Sequence, residues 1–286
     1  MALDNPAFSK NPAFAKQGGG TLQAAQAANP SLTAEQLHAM YNQPTAPAGV
    51  GTTGRMTIEN TLVKTLGSFA VLIVFAVISW VWTTSLLQSG GGGYALPMII
   101  GMIGGLGLGL VNSFKKEPVP ALILGYAVFQ GLFVGGISRV FEANEQWSGI
   151  VVQAVLATLA VVGVTLALFA SGKVRASKKT TKVFLIAIVG YGVFQLLNLV
   201  LMFTGVLQNP FGLYGATIFG IPLGIVIGIF AVLMGAYSLV LDFDFIQRGV
   251  QNRAPEKYGW TGAFGIMVTV IWIYVEILRM LAISRN

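Results

Sequence analysis

Seven hydrophobic segments of about twenty residues follow one another between residues 66 and 283. An α-helix rises 1.5 Å per residue, so about twenty apolar residues cross the ~30 Å hydrocarbon core of a bilayer. Asn209 and Pro210 are expected to end the fifth segment, and Pro222 to kink the start of the sixth. The pattern predicts an all-α integral membrane protein, a seven-helix bundle, with these spans: 66–87, 95–113, 118–141, 150–170, 182–206, 216–247 and 260–283.

The composition excludes most kinds of catalytic site. Charged residues make up 9% of the chain, against about 25% in soluble domains. The chain has no cysteine and a single histidine, His38, which excludes thiol chemistry, iron–sulfur clusters and histidine-rich metal sites. Neither a GxxxxGK[ST] loop nor a Gly-x-Ser-x-Gly motif is present. We therefore expect a protein that is not an enzyme and binds no cofactor.

The basic residues predict how the chain is oriented. Fourteen of the 17 Lys and Arg residues fall on one side of the bilayer if the N-terminus is cytoplasmic. The other side keeps only Arg139, Arg279 and Arg285. Because loops rich in Lys and Arg remain in the cytoplasm, the sequence predicts a multi-pass cell (plasma) membrane protein with its N-terminus inside and its C-terminus outside. The net charge of +7 lies between hydrophobic spans, which argues against nucleic acid as a partner.

The first sixty residues differ from the rest of the chain. Residues 1–60 are polar and repeat Asn-Pro-Ala-Phe at 5–8 and 11–14, whereas residues 61–286 form the predicted membrane domain. The segment has neither the apolar core nor the cleavage site of a secretory signal. We expect a flexible cytoplasmic arm, with a short helix capped by Thr33. The alternative is a docking segment that uses Phe8 and Phe14.

Small and polar residues predict how the helices pack. Glycines spaced four residues apart allow helices to approach closely in lipid, where the hydrophobic effect does not drive association. Such glycines occur in the second, third and sixth spans: Gly101, Gly105, Gly109; Gly131, Gly135; Gly220, Gly224, Gly228. Four amides at membrane depth are expected to form interhelical hydrogen bonds: Gln130, Gln153, Gln195 and Asn198.

Ionisable side chains inside a span are candidates for function because they are costly to bury there. Asp242 continues the stripe of Gly228 and Gly235 at a spacing of seven residues, so it is expected to face the bundle interior. Asp244 points away from that stripe. Glu276 shares a face with Gly262, Gly265, Thr269 and Trp272 on the seventh span, so it is also expected to point inward.

Each interior acid also has a purely structural interpretation. Asp242 could cap its helix or pair with Arg248 near the inner end of the sixth span. Glu276 could form an ion pair with Arg279 or Arg139 near the outer interface. With the predicted boundaries, the two acids lie about 20 Å apart in depth at 1.5 Å per residue.

Three stretches of the predicted membrane domain are similar to the helices of one known family. They are residues 125–131, Gly-Tyr-Ala-Val-Phe-Gln-Gly, followed by Gly135-Gly136-Ile137-Ser138; residues 150–154, Ile-Val-Val-Gln-Ala, with the basic loop that follows; and residues 239–246, an apolar run with Asp242 and Ile246. They resemble the third helix, the fourth helix and the end of the sixth helix of the Bax inhibitor family, including its bacterial YccA-type members. The resemblance covers about residues 60–286.

The resemblance implies a seven-helix fold in which the C-terminal helix is central and is wrapped by the other six. It also implies a pH-sensitive calcium leak controlled by acids on the sixth and seventh helices. Asp242 matches the first of these acids, whereas the second position aligns with Ile273, one turn before Glu276. Asp242 and Glu276 are therefore the candidate cation-binding or proton-sensing residues. The second span contains no arginine that could pair with such a site.

Two functions remain open at this stage. A carboxylate on an interior stripe binds Ca²⁺ when it is ionised and releases it when protonated, which suits a cation leak channel. The alternative is a regulator in the membrane that binds partner proteins such as a membrane-anchored protease, with the N-terminal arm as the contact. Ion flux that depends on Asp242 would favour the first function. Loss of activity after deletion of residues 1–55 would favour the second.

Overall fold

The structure is a computed structural model that describes residues 54–90, 92–207, 209 and 211–285. Several expectations fall on residues outside this part of the chain, namely the Thr33 helix, His38, the Phe8 and Phe14 repeat, and Pro210. The expectations for the membrane domain fall almost entirely within the described residues, so its helices can be compared with the predicted spans.

Within the described residues the chain forms seven long helices. Their bounds are α1 Ile58–Gln88, α2 Leu96–Phe114, α3 Pro120–Glu142, α4 Ile150–Ala170, α5 Lys178–Phe203, α6 Leu223–Gln251 and α7 Gly259–Ser284. All seven are long and apolar enough to cross a membrane. Short 3₁₀ turns lie at Glu145–Trp147, Gly212–Gly215 and Glu256–Tyr258, and a small hairpin pairs β1 Thr217–Ile218 with β2 Ile221–Pro222. The all-α seven-helix architecture predicted from the sequence is confirmed.

The first helix begins earlier than the sequence predicts. Hydrophobicity places its start at residue 66, but α1 begins at Ile58, where the Thr57 hydroxyl accepts a hydrogen bond from the Asn60 amide at 3.1 Å. Two polar side chains of its first turns reach the loop before α7: Asn60 donates to Glu256 at 2.6 Å, and Lys64 pairs with the same carboxylate at 3.1 Å. A count of apolar residues misses these turns because polar contacts stabilise them.

The fifth and sixth spans also differ from their predicted bounds. The fifth is predicted to run from 182 to 206, with Asn209 as a helix breaker just beyond it. In the structure α5 already ends at Phe203, and Gly205 follows in the left-handed conformation with φ 72°. The sixth is predicted to start at 216, but Phe219 and Gly220 have φ values of 52° and 81° and form the turn of the β1–β2 hairpin. Pro222 therefore precedes α6 and does not kink it.

Helix α7 is the centre of the bundle. Over an apolar stretch of 18 residues in this helix 56% of the residues are buried, against 6% over the corresponding stretch of α5. It contacts α1, α3, α4 and α6. Its buried residues Ile273, Ile277 and Leu278 form one core cluster with Leu239 of α6 and Ile150 of α4. The central C-terminal helix implied by the family resemblance is therefore present.

Most of the predicted glycine faces lie at close helix contacts. A Cβ on Gly131 would lie 2.8 Å from Cβ of Phe75 on α1, and Gly135 lies against the backbone of Ala76. On α6, a Cβ on Gly228 would lie 3.1 Å from Cβ of Met280. Gly220 is the exception, because it belongs to the hairpin turn and a Cβ there would meet no atom within 4 Å.

Candidate functional site

Asp242 faces α7, as its spacing from the glycines predicts. One interior stripe of α6 runs through Gly235 to Asp242. A Cβ on Gly235 would lie 2.5 Å from Cγ1 of Ile273, and a Cβ on Gly265 would lie 2.5 Å from Oδ1 of Asp242. The two helices are thus in close contact over this stretch, and the absence of a side chain at Gly265 leaves room for the carboxylate.

A threonine hydroxyl of α7 binds the Asp242 carboxylate. Thr269 Oγ1 donates a hydrogen bond to Asp242 Oδ2 at 2.8 Å, and Ser238 Oγ lies 3.2 Å from the same threonine oxygen. Among the described residues, no Lys, Arg or His forms a salt bridge with Asp242. Within the described residues this carboxylate is therefore compensated by one hydrogen bond from a neutral hydroxyl and not by a positive charge.

The next acid along α6 has a different environment. Asp244 pairs with Arg248, one turn later, at 2.5 Å, and the Arg248 side chain is largely exposed. The interpretation in which Arg248 pairs with Asp242 is therefore wrong. The two acids lie on different faces of the helix, and Arg248 pairs with Asp244. The pairing of Asp244 with an exposed arginine is consistent with the prediction that it points away from the interior stripe.

Glu276 forms an ion pair inside the bundle. The side chain is 3% exposed, accepts a hydrogen bond from the Tyr191 hydroxyl, and pairs with Arg279 one turn later on α7. The Arg279 guanidinium in turn lies 3.9 Å from the centroid of the Tyr214 ring. Of the two structural interpretations, the Arg279 pair is correct. Arg139 instead donates to Thr84 on α1 at 2.8 Å.

A polar network extends from this ion pair to α5. Gln195 donates to Tyr191 Oη at 2.7 Å and accepts from Tyr214 Oη at 2.8 Å. Asn198 accepts a hydrogen bond from the Leu213 amide at 2.7 Å. Both amides bond to the 3₁₀ turn Gly212–Gly215, and Gln195 also bonds to Tyr191 of its own helix, so within the described residues these bonds are not the interhelical ones that the sequence predicts. The sequence analysis missed Tyr191, although Tyr191, Gln195 and Asn198 are spaced by four and three residues and so share one face of α5.

The structure does not bring the two interior acids together. Thr269, which binds Asp242, and Glu276 are seven residues apart on α7, which corresponds to about 10 Å along the helix axis. Ile273 lies between them and packs against Gly235. The described residues contain no group of three or more His, Cys, Asp or Glu side chains that could hold a metal ion. Among the described residues, the oxygens placed together at this point are those of the Asp242 carboxylate and the Thr269 hydroxyl.

The comparison with known families agrees with this architecture. Residues 5–286 match the family described as Bax inhibitor 1 like. The match extends well beyond residues 60–286, where the motifs quoted above lie, and takes in most of the N-terminal segment. No curated protein sequence matches the chain. With seven helices long and apolar enough to span a membrane, the C-terminal one at the centre, and a family match over nearly its whole length, the chain is a multi-pass membrane protein that belongs to the Bax inhibitor 1 like family.

Proposed function

We propose that the protein is a pH-sensitive cation leak channel, with Ca²⁺ as the first candidate ion and Asp242 as its gating residue. The observation that carries the proposal is an acid at the interface of two spanning helices whose only hydrogen-bond donor among the described residues is a threonine hydroxyl. Intramembrane acids usually pair with a basic group unless they handle ions or protons.

The chemistry of the Asp242 environment suits a hard cation. The carboxylate and the hydroxyl oxygens of Thr269 and Ser238 form a small group of oxygen ligands, the type that Ca²⁺ prefers. Protonation removes the negative charge from this group and so removes its attraction for a cation. One residue could thus couple the passage of cations to pH.

Glu276 has a structural role in this proposal. Its charge is already compensated by Arg279, and it is further hydrogen-bonded by Tyr191. A cation at Glu276 would have to compete with a guanidinium that is fixed one helical turn away. We therefore assign the pH response to Asp242 alone.

The test is Ca²⁺ flux into liposomes that contain the purified full-length chain, measured across a pH series. Asp242→Asn keeps the size of the side chain but removes its charge, so flux should lose its pH dependence. Asp244→Asn is the matched control because that acid lies two residues away and outside the interior stripe; it should retain the pH response.

Thr269→Val gives an independent readout. The Thr269 hydroxyl donates to the carboxylate and so favours its charged form. Without this bond Asp242 should gain its proton more readily, and the pH midpoint of flux should move toward alkaline values. If Asp242→Asn and Thr269→Val both leave the pH profile of the native chain unchanged, the gating role of Asp242 is wrong.

Absence of flux from the native chain would favour the alternative function, a regulator that binds partner proteins such as a membrane protease. Deletion of residues 1–55 should then abolish the regulatory activity, because this segment would be the contact. The resemblance of residues 125–138 supports our placement of the chain in the YccA-type branch of the family, and the charge distribution supports a location in the cell membrane with the N-terminus inside.

A further inference from the structure

A groove with a volume of about 510 Å³ lies between α1, α3, α4 and α7. Its walls are almost entirely apolar and include Ile73 and Trp80 of α1 and Val155 of α4. Ile73 and Val155 are 58% and 41% exposed, so the groove opens to the outside of the bundle. The volume lies within the ~300–1,000 Å³ range of small-molecule sites. We call this feature the lateral groove.

The length of the lateral groove corresponds to one leaflet of a bilayer. On α1 its lining extends from Phe69 to Trp80, which is about 16 Å at 1.5 Å per residue. The hydrocarbon core is ~30 Å thick, so this wall spans about half of it. On α3 the lining residues are Val134, Gly135 and Ser138, in the last third of that helix. The groove therefore runs from the middle of the bundle toward the end where α3 finishes.

A positively charged side chain lies at that end of the groove. Arg139 follows the lining residue Ser138, and its guanidinium carbon is 5.7 Å from the centroid of the Trp80 ring, which is itself a groove wall. The Arg139 Nε donates to Thr84 at 2.8 Å, a bond that fixes the orientation of the guanidinium. No acid among the described residues forms a salt bridge with Arg139.

The nearest acid in sequence is engaged elsewhere. Glu142 accepts hydrogen bonds from the backbone amides of Gly149 and Val151, at 2.7 and 3.3 Å, and so caps the start of α4. The charge of Arg139 is thus left without an anion within the described part of the chain. An arginine near the end of a spanning helix reaches toward the headgroup level, where lipid phosphates lie.

We propose that the lateral groove binds one acyl chain of a bilayer phospholipid while Arg139 binds the phosphate of the same molecule. The lateral groove is apolar and about one leaflet long, so it can hold the acyl chain. A guanidinium oriented by Thr84 and Trp80, without an acidic partner, accounts for the headgroup, since arginine binds phosphate through paired N–H donors. The occupant is a lipid of the surrounding bilayer, and its anionic phosphate complements the positive charge of Arg139 at the mouth of the groove.

The binding test uses the purified full-length chain in mild detergent, titrated with dioleoylphosphatidylglycerol and followed by native mass spectrometry. The native chain should retain one lipid more tightly than any further copies. Arg139→Gln should weaken this first binding step about tenfold, because a charge-assisted contact is lost. Val155→Trp should remove it by filling the groove. Glycerol 3-phosphate and dioleoylglycerol, which carry only the headgroup or only the chains, should both bind more weakly than the intact lipid.

Two matched variants control for non-specific effects. Val152→Trp places the same bulk on α4 at a residue that is 63% exposed and does not line the groove. Arg285→Gln removes a half-buried charge at the end of α7, where Arg285 donates to the Ser148 carbonyl and the Gln153 side chain. Both variants should bind the lipid as the native chain does. If Val155→Trp fails to fold, Leu159→Trp on the same wall replaces it.

Photocrosslinking in liposomes gives a readout that does not depend on stability. A phosphatidylglycerol with a diazirine in the middle of one acyl chain should label groove residues such as Ile73 and Val155 more than Leu196 of α5, although Leu196 is more exposed than either. Arg139→Gln should reduce this excess. Equal labelling of the groove residues and Leu196 would overturn the proposal. Lipid binding as tight as that of the native chain in both Arg139→Gln and Val155→Trp would also overturn it. So would a co-purified polypeptide crosslinked along the groove in native membranes, because the groove would then be a protein interface.

Discussion

At the residue scale, the two interior acids differ in how their charges are compensated. Asp242 has one neutral hydroxyl partner, Thr269 on α7, whereas Glu276 has a largely buried arginine and a tyrosine hydroxyl. Removing the charge at Asp242 leaves no cation behind among its described partners. Removing it at Glu276 leaves Arg279 buried without its counter-ion. The same kind of substitution should therefore affect function at one position and folding at the other.

Glu276→Gln should destabilise the protein by about 3 kcal/mol, because breaking one side of a buried ion pair leaves an uncompensated charge. The measurement is thermal unfolding of the purified protein in detergent, together with the yield of folded protein. The pH response of flux should be retained in the folded fraction. The double variant Glu276→Gln with Arg279→Gln should recover part of the loss. A stable Glu276→Gln protein without pH sensitivity would mean that we have assigned the switch to the wrong acid.

At the scale of helices, packing depends on glycines that meet backbone atoms. Gly135→Ala should destabilise the bundle by about 1–3 kcal/mol, since a methyl group there would overlap the carbonyl group of Ala76, which cannot move without displacing α1. Thermal unfolding in detergent measures the effect. Gly107→Ala is the control because a Cβ at that helical position meets nothing within 4 Å. It should be neutral or slightly stabilising, since alanine favours a helix more than glycine does.

The contact between α6 and α7 is tested by Gly228→Leu. A Cβ at this position already lies 3.1 Å from Met280, so a leucine should separate the helices and lower the thermal midpoint. Gly92→Leu, between α1 and α2, should have almost no effect because its Cβ has open space. Equal losses in the two variants would show that the glycine stripe of α6 does not act as a packing face.

At the scale of the whole molecule, the odd number of spans determines the positions of the termini. Seven crossings, for which all seven helices are long and apolar enough, would place the two ends of the membrane domain on opposite sides of the bilayer. The basic residues then predict a cytoplasmic N-terminus. A reporter fused after Asn286 should be detected outside the cell, and one inserted in the basic loop between α4 and α5 should be detected inside. A cytoplasmic signal from the C-terminal fusion would contradict both the orientation and the count of crossings.

Much of the architecture follows from local sequence. The number and approximate positions of the spans are readable because each crossing requires about twenty apolar residues, whatever its neighbours are. The inward orientation of Asp242 is readable for a similar reason, since a spacing of seven residues keeps Gly228, Gly235 and Asp242 on one face of a helix. These properties depend on residues close together in the chain.

The remaining features depend on which helices meet and in what register. The polar start of α1 is stabilised by Glu256, nearly two hundred residues later. The partner of Arg248 is Asp244 and not Asp242, and Glu276 is bound by Tyr191 of α5. The lateral groove exists only because four helices enclose it. The sequence by itself determined the spans and their inward faces, because periodicity is local; tertiary structure decided the partner of each charge, because that depends on contacts between distant segments.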